Sequence, residues 1–227
     1  MTRPLRLIIF DVDGTLVDSQ DDITRAMTRA FEGVGAPVPP REAILGIVGL
    51  SLDVAMVRLA PDLDMAIHAR MVDGYKAAYM SLRAEAGAAQ SSPLYPGARD
   101  ALETLNATPE TLLGVATGKS RRGLDKLLEG HGLMHMFVTQ QVADFHPSKP
   151  HPAMIEAALA ETGVDARDAV MIGDTSYDMD MARAAGVAAI GVSWGYHPVS
   201  ALAAADVVID RFADLPRTLD SLWEVAT

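Results

Sequence analysis

Hydrophobic and polar positions alternate in two different ways along this chain. Residues 5–10 form a short run of mostly apolar residues stopped at Asp11, the signature of a buried strand. Apolar residues then recur at Ile23, Ala26, Met27, Ala30 and Phe31. That i, i+3, i+4, i+7, i+8 spacing predicts an amphipathic helix, with Ser19 as its N-cap and Gly33 as its stop. Pro37, Pro39 and Pro40 interrupt the chain, and helical patterning resumes over 42–47, 52–59 and 65–86. From about residue 20 to 89 there are helices and no strand. The stretch 90–97 (QSSPLYPG) reads as a linker. Beyond it, strands predicted at 112–116, 137–139, 169–172, 188–192 and 207–209 alternate with helices at 98–107, 121–128, 152–161, 178–185, 197–204 and 215–225. This alternation implies an α/β fold, a doubly wound parallel sheet covered on both faces. The strand-free block makes an all-α insertion after the first strand. The expected division is a core of 1–18 plus 93–227 and a helical unit of 19–92, linkers included.

Composition narrows the classes of function. The chain has 227 residues, enough for one large domain or a domain with a small second one. With 49% hydrophobic and 22% charged residues it is not a disordered chain. Thirty acidic against nineteen basic side chains give a net charge of −11, which repels nucleic acid and anionic lipid. Cysteine is absent, which removes disulfide scaffolds, thiol nucleophiles and thiolate metal sites. No apolar run approaches a membrane span, so a cytoplasmic location is expected.

The candidate chemistry gathers at predicted strand ends, where doubly wound sheets bind ligands. Asp11-Val12-Asp13-Gly14-Thr15 follows the first strand directly. Two carboxylates so close repel unless they share a cation or keep a proton, and a hard ion such as Mg²⁺ suits them. A calcium EF-hand is excluded, because its fifth, sixth and twelfth positions hold Thr15, Leu16 and Asp22. Ala116-Thr117-Gly118-Lys119-Ser120 follows a later strand. It is not a P-loop, since Leu113 stands where that motif needs glycine. Its strand-end Thr117 and the neighbouring amides suit phosphate oxygens, while Ser120 suits a helix N-cap. Lys149, one of only four lysines, lies in Ser148-Lys149-Pro150, where its ammonium can offset clustered charge. Asp174 and Asp178 lie about one helical turn apart after another strand, so both carboxylates can reach the crevice. Capping by Asp174 or Thr175 would explain one acid but not the pair.

DVDGTLVDS, Thr117, Lys149 and GDTSYD, in this order and each at a strand end, resemble the haloacid dehalogenase superfamily. The similarity is greatest to its phosphoglycolate-phosphatase-like branch and covers essentially the whole chain. It implies a Rossmann-like core with a helical cap, and a Mg²⁺-dependent phosphatase acting on a small phosphorylated metabolite such as 2-phosphoglycolate. It further implies that Asp11 is the nucleophile and that Asp13 protonates the leaving oxygen and later activates water. Asp11, Asp174 and the main-chain carbonyl of Asp13 would hold the metal. Asp178 would orient Lys149 or a metal-bound water. Thr117, Gly118 and Lys149 would bind the phosphoryl group. Asp13 argues against a true dehalogenase, which lacks this second aspartate.

Substrate choice is less legible. The loop 49–52 resembles the family's cap loop, and Leu52 stands near positions where phosphonatases carry lysine and sugar-phosphate mutases arginine. A phosphomutase is therefore disfavoured, and a pyrophosphatase or a non-catalytic phospho-acceptor remain as rivals. Ser51 is either a specificity residue or a helix cap. Lys76, Tyr79 and Arg83 share a helix face that either reads a substrate anion or is simply solvated. Trp194, Tyr196 and His197 would line the entrance or pack on the core, and His146 and His151 form no zinc pattern. A monomer or a homodimer is expected.

Overall fold

The structure, a computed structural model, describes residues 4–225. Six parallel strands form one sheet in the order β3-β2-β1-β4-β5-β6. They are β1 (Arg6–Phe10), β2 (Thr111–Thr117), β3 (Phe137–Val142), β4 (Ala169–Gly173), β5 (Ala188–Val192) and β6 (Val207–Ile209). β1 pairs with β2 on one side and β4 on the other. Its residues Leu7, Ile8, Ile9 and Phe10 have no solvent exposure, as a strand covered on both faces requires. Alternate side chains serve opposite cores. Ile8, Phe10, Val115, Ile172 and Ile190 pack under helices α6 (Ala98–Asn106), α7 (Arg121–His131) and α10 (Leu215–Val225). Leu7, Ile9, Met171 and Ala189 pack under α8 (Ala153–Thr162) and α9 (Ser176–Ala185).

Between β1 and β2 the chain makes α1 (Gln20–Glu32), α2 (Arg41–Leu45), α3 (Leu52–Leu59), α4 (Met65–Ala86) and the short α5 (Ala88–Ser91). These helices build a core of their own from Ile23, Met27, Phe31, Ile44, Met56 and Met71. The block leaves and rejoins the sheet region at one neck. Val17 and Leu94 form an antiparallel bridge, Asp18 N donates to Pro93 O, and Tyr95 N donates to Leu16 O.

Three sequence expectations need correction. The helix expected at 197–204 is a loop with one 3₁₀ turn, Val199–Ala201. Pro198 is extended at ψ 148° and disfavours the helical conformation of His197, leaving too few residues for a stable helix. The strand expected at 137–139 runs on to Val142, and α5 extends into the first two residues of the expected linker. Among the described residues, no helix is long and apolar enough to cross a membrane.

Candidate active site

The strand order reverses at β1 and β4, whose chain neighbours diverge to opposite sides of the sheet. A crevice opens at the carboxyl ends of strands at such a point. Asp11 leaves β1 with its N–H on Ile172 O, and Asp174 leaves β4 next to it. The turn after Asp11 depends on Gly14, which has φ +85°. A Cβ there would collide with the Asp174 carboxylate, so only glycine lets the two acidic loops close on each other.

Asp11, Asp174, Asp178 and Lys149 are all buried at the bottom of this crevice. Lys149 Nζ donates to Asp11 Oδ1 at 2.6 Å and to Asp178 Oδ1 at 2.7 Å. The second oxygen of Asp178 accepts from Thr175 N and Oγ1 in a capping box that starts α9. Asp178 thus both caps its helix and fixes the lysine. Asp174 accepts from Thr15 Oγ1 and Tyr196 N, each at 2.8 Å. Asp11 Oδ2 is different: it is buried and has no hydrogen-bond partner.

Oxygens of Asp11, Asp174 and Asp178 lie within 4.8 Å of one another. Three buried hard-oxygen donors with a single orphaned atom suit a hard divalent cation. Burial pushes the Asp11 carboxyl up to about 7, against the pull of Lys149 and with repulsion from Asp178 and Asp13. Burial, then Asp11 and Asp178, push Asp174 well above the usual carboxylate range. Burial opposes the Lys149 charge, but its two carboxylate partners outweigh that and raise its pKa. Acids destabilised in their ionised form by crowding are what a bound cation relieves.

Asp13 faces the cavity above this floor and brings in a residue to which the sequence reading assigned no role. Lys119 Nζ donates to both Asp13 oxygens, each at 2.7 Å. Burial pulls the Lys119 pKa down, and Asp13 with Tyr79 more than reverses it, so the ammonium is held above the ordinary lysine range. The signal was present: a scarce lysine two residues beyond the strand-end Thr117. Ser19 is the second surprise. It stands at the N-cap position of α1 but makes no side-chain cap; its hydroxyl donates to Asp13 Oδ1.

The remaining candidates separate clearly. Thr117 is buried in the cavity wall, its Oγ1 accepting from Lys119 N at 3.2 Å with its own proton still to give. At Gly118 a Cβ would meet Gly49 O and Leu50 O at 2.6 Å, so the helical block's loop sits directly on the strand end. Ser51 does not cap α3 with its side chain; its N–H donates to Ser148 Oγ at 2.8 Å, beside Lys149, and it lines the same cavity. Leu50 and Leu52 pack in the helical core. Lys76 lines the cavity but is exposed, whereas Arg83 is half-buried and donates to Gly123 O. Trp194, Tyr196 and His197 brace rather than line the cavity. Trp194 Nε1 donates to Thr15 O and its ring packs on Phe212 at 4.7 Å, Tyr196 holds Asp174 and Ser19 N, and His197 accepts from Ser176 N. His146 pairs with Gln141, and among the described residues no histidine joins a cluster able to hold a metal.

The family model of the haloacid dehalogenase-like hydrolases matches residues 8–192. The chain belongs to this family. A probable phosphatase of Dickeya dadantii, IndB, is 35% identical over 97% of this chain and 96% of its own. The phosphoglycolate phosphatase of Vibrio parahaemolyticus is 32% identical over 94% and 95%. A crystal structure of a predicted phosphoglycolate phosphatase from Haemophilus somnus superposes with TM-score 0.82 at 26% identity, covering 94% and 97%. With such relatives along nearly its full length, this haloacid dehalogenase-like hydrolase is an enzyme of the phosphatase kind.

Proposed function

We propose that the chain is a Mg²⁺-dependent phosphatase that hydrolyses a small phosphorylated metabolite, of the size and charge of 2-phosphoglycolate, through an aspartyl-phosphate on Asp11. One observation carries this reading: Asp11 has one oxygen fixed by Lys149 and the other buried and unpartnered at the switch point of the sheet. A carboxylate held in one orientation and starved of partners is poised to act as nucleophile or ligand.

Asp11, Asp174 and the Asp13 carbonyl would hold the cation, with Asp178 behind them. Bound Mg²⁺ would screen the repulsion between the carboxylate and the incoming phosphate. Asp11 then attacks phosphorus and the ester P–O bond breaks. Asp13 gives its proton to the departing oxygen, and takes one back from the water that later attacks the aspartyl-phosphate. That second step releases inorganic phosphate and restores Asp11. Lys149, the Thr117 hydroxyl and the Gly118 amide would bind the phosphoryl oxygens, and positioning of this kind supplies most of the catalysis in phosphoryl transfer. Asp13 meets the leaving oxygen only if its pair with Lys119 separates. Ser51 and Lys76 stand where a leaving group would lie. With Asp13 carrying the proton it gives, the carboxylates of Asp11, Asp174 and Asp178 face Lys119, Lys149 and one divalent cation, which is how a chain of net charge −11 can accept an anion.

The test is phosphate release from a panel of metabolite esters, with and without chelator, using Asp11→Asn as the blank. The expected result is Mg²⁺-dependent turnover that Asp11→Asn abolishes. Metal-independent turnover by Asp11→Asn would overturn the reading. Isomerised product without net phosphate would favour a mutase, and a phospho-Asp11 stable for hours would favour a phospho-acceptor.

A further inference from the structure

Above the reacting end, the cavity of about 820 Å³ rises between α4 and the start of α7. Lys76, Arg83, Lys119, Arg122 and Lys126 all contribute to its wall. Asp11, Asp13, Asp53 and Asp144 share that wall, so the basic groups stand out by their placement rather than by their number. Most of these groups can be solvated at the rim. Arg83 cannot be fully so.

The Arg83 guanidinium donates to Gly123 O through Nη1 at 3.0 Å, which ties α4 to α7. Its Nε and Nη2 are buried and have no partner. Leaving donors of a charged group buried and unsatisfied is costly, so such a group marks a place where an acceptor is missing. Its neighbours are of matching chemistry. The guanidinium carbon lies 5.3 Å from the centre of the Tyr79 ring, and Lys119 Nζ lies 5.2 Å from that same ring and 3.4 Å from its hydroxyl. Arg83, Tyr79 and Lys119 thus converge from the helical block and the core on one end of the cavity. Lys119 also touches Asp13, the residue next to the leaving oxygen.

We propose that Arg83, Lys119 and the Tyr79 hydroxyl form a second anion subsite, which binds a negatively charged group carried by the leaving group of the phosphoester. The inference rests on the phosphatase reading for its geometry, since Asp13 marks where the leaving oxygen sits. It names the substrate class more narrowly: phosphate monoesters with a carboxylate or second phosphoryl group a few bonds from the ester oxygen. Because Lys119 reaches both Asp13 and the Tyr79 hydroxyl, the second charge must lie close to the reacting end. A long spacer would carry it past the subsite. An anion seated there supplies the acceptor that Arg83 lacks. It also competes with Asp13 for Lys119, so the group that identifies the substrate frees the residue that serves the leaving oxygen.

Matched pairs of esters test this. 2-Phosphoglycolate is compared with ethyl phosphate for the carboxylate, and propane-1,3-diol bisphosphate with propyl phosphate for the second phosphoryl. The expected result is a kcat/KM ratio, charged over neutral, of about tenfold or more in the unaltered protein, as charge-assisted hydrogen bonds give. The ratio should collapse in Arg83→Met and partly return in Arg83→Lys, with the loss mainly in KM. The pair that shows the larger ratio identifies which anion the subsite takes. A structural role for Arg83 would lower both members of a pair together and leave the ratio intact, which would overturn the proposal.

Binding to the Asp11→Asn protein separates this inference from the phosphatase reading. Calorimetry with 2-phosphoglycolate and the bisphosphate, with and without Arg83→Met, needs no turnover. A loss of about tenfold in affinity on removing Arg83 supports the subsite even if no ester is hydrolysed. Equal affinity with and without Arg83 for both charged probes overturns it even if hydrolysis is brisk.

Discussion

Gly118→Ala adds a single methyl group where the loop of the helical block rests on the end of β2. The new Cβ would stand 2.6 Å from two backbone oxygens, Gly49 O and Leu50 O. Carbon and oxygen do not approach closer than about 3.0 Å, so the loop must retreat by at least about 0.4 Å. Neither oxygen belongs to a flexible side chain, so the loop moves as backbone and takes Ser51 with it. Ser51 N is hydrogen-bonded to Ser148 Oγ at 2.8 Å, the residue before Lys149. Overpacking of this sort costs about 1–3 kcal/mol of stability. Displacement of a positioning element by a fraction of an ångström lowers rate by up to about 10²-fold. The expected outcome is a kcat/KM lowered about tenfold to a hundredfold, with a fall of several degrees in Tm. The control is Gly74→Ala on α4, whose Cβ would meet Ala30 Cα at an ordinary 3.7 Å. It should raise stability by about 0.5–1 kcal/mol through helix propensity and leave the rate alone. Steady-state kinetics and thermal melts of both variants decide the matter. A Gly118→Ala protein with unaltered rate and Tm would refute the claim that this contact positions the site.

Lys149→Met should destabilise the metal-free protein by about 3–5 kcal/mol, because it strands Asp11 and Asp178 as buried unpaired carboxylates; denaturant unfolding measures this, and a change below about 1 kcal/mol would contradict it. Cation binding should be proton-linked. With Asp11 pushed up to about 7 and Asp174 also raised in the metal-free protein, the cation displaces protons, so apparent Mg²⁺ affinity should rise with pH through this range. Calorimetry at pH 6 and pH 8 checks the sign, and pH-independent affinity would contradict it. Tyr196→Phe keeps the backbone N–H on Asp174 but removes the hydroxyl that accepts from Ser19 N. It should therefore lower the rate modestly, by roughly tenfold or less, without weakening Mg²⁺ binding; a lost metal affinity would show that the hydroxyl, not the backbone, holds the site.

Hydrophobic period read the sheet and the long helices well because both are set by burial. β1 is apolar at every position from Leu7 to Phe10 since both of its faces are covered, and α3 and α4 begin and end where their spacing predicts. The 197–204 segment misled because its alanines carry helix propensity while Pro198 and the contacts of His197 fix an irregular loop. In such short segments tertiary contacts override propensity. Asp11, Asp174, Asp178 and Lys149 were legible as strand-end chemistry, and the structure brings them together. Lys119 was legible only as a scarce lysine just past a strand end, because its pairing with Asp13, 106 positions away, is encoded by no local pattern. Ser19 reads as a cap from residue type, and Ser51 as a cap or a specificity residue; neither side chain caps its helix, Ser19 donating to Asp13 and the Ser51 N–H to Ser148 Oγ.

The neck that joins the helical block to the sheet has a consequence for how this chain can vary. Val17 and Leu94 are bridged, and the hydrogen bonds Asp18 to Pro93 and Tyr95 to Leu16 flank that bridge. Entry and exit of the block are therefore already held together at its base. To the sheet, everything beyond the neck is a closed loop, and the entropy of closing a loop grows only slowly with its length. Residues can be added to or removed from the block with little effect on the alignment of β1 with β2 and β4. The parts of the block free to change in this way are those away from the 49–52 loop and Arg83, which touch the core at Gly118, Ser148 and Gly123 and so stay tied to the strand ends.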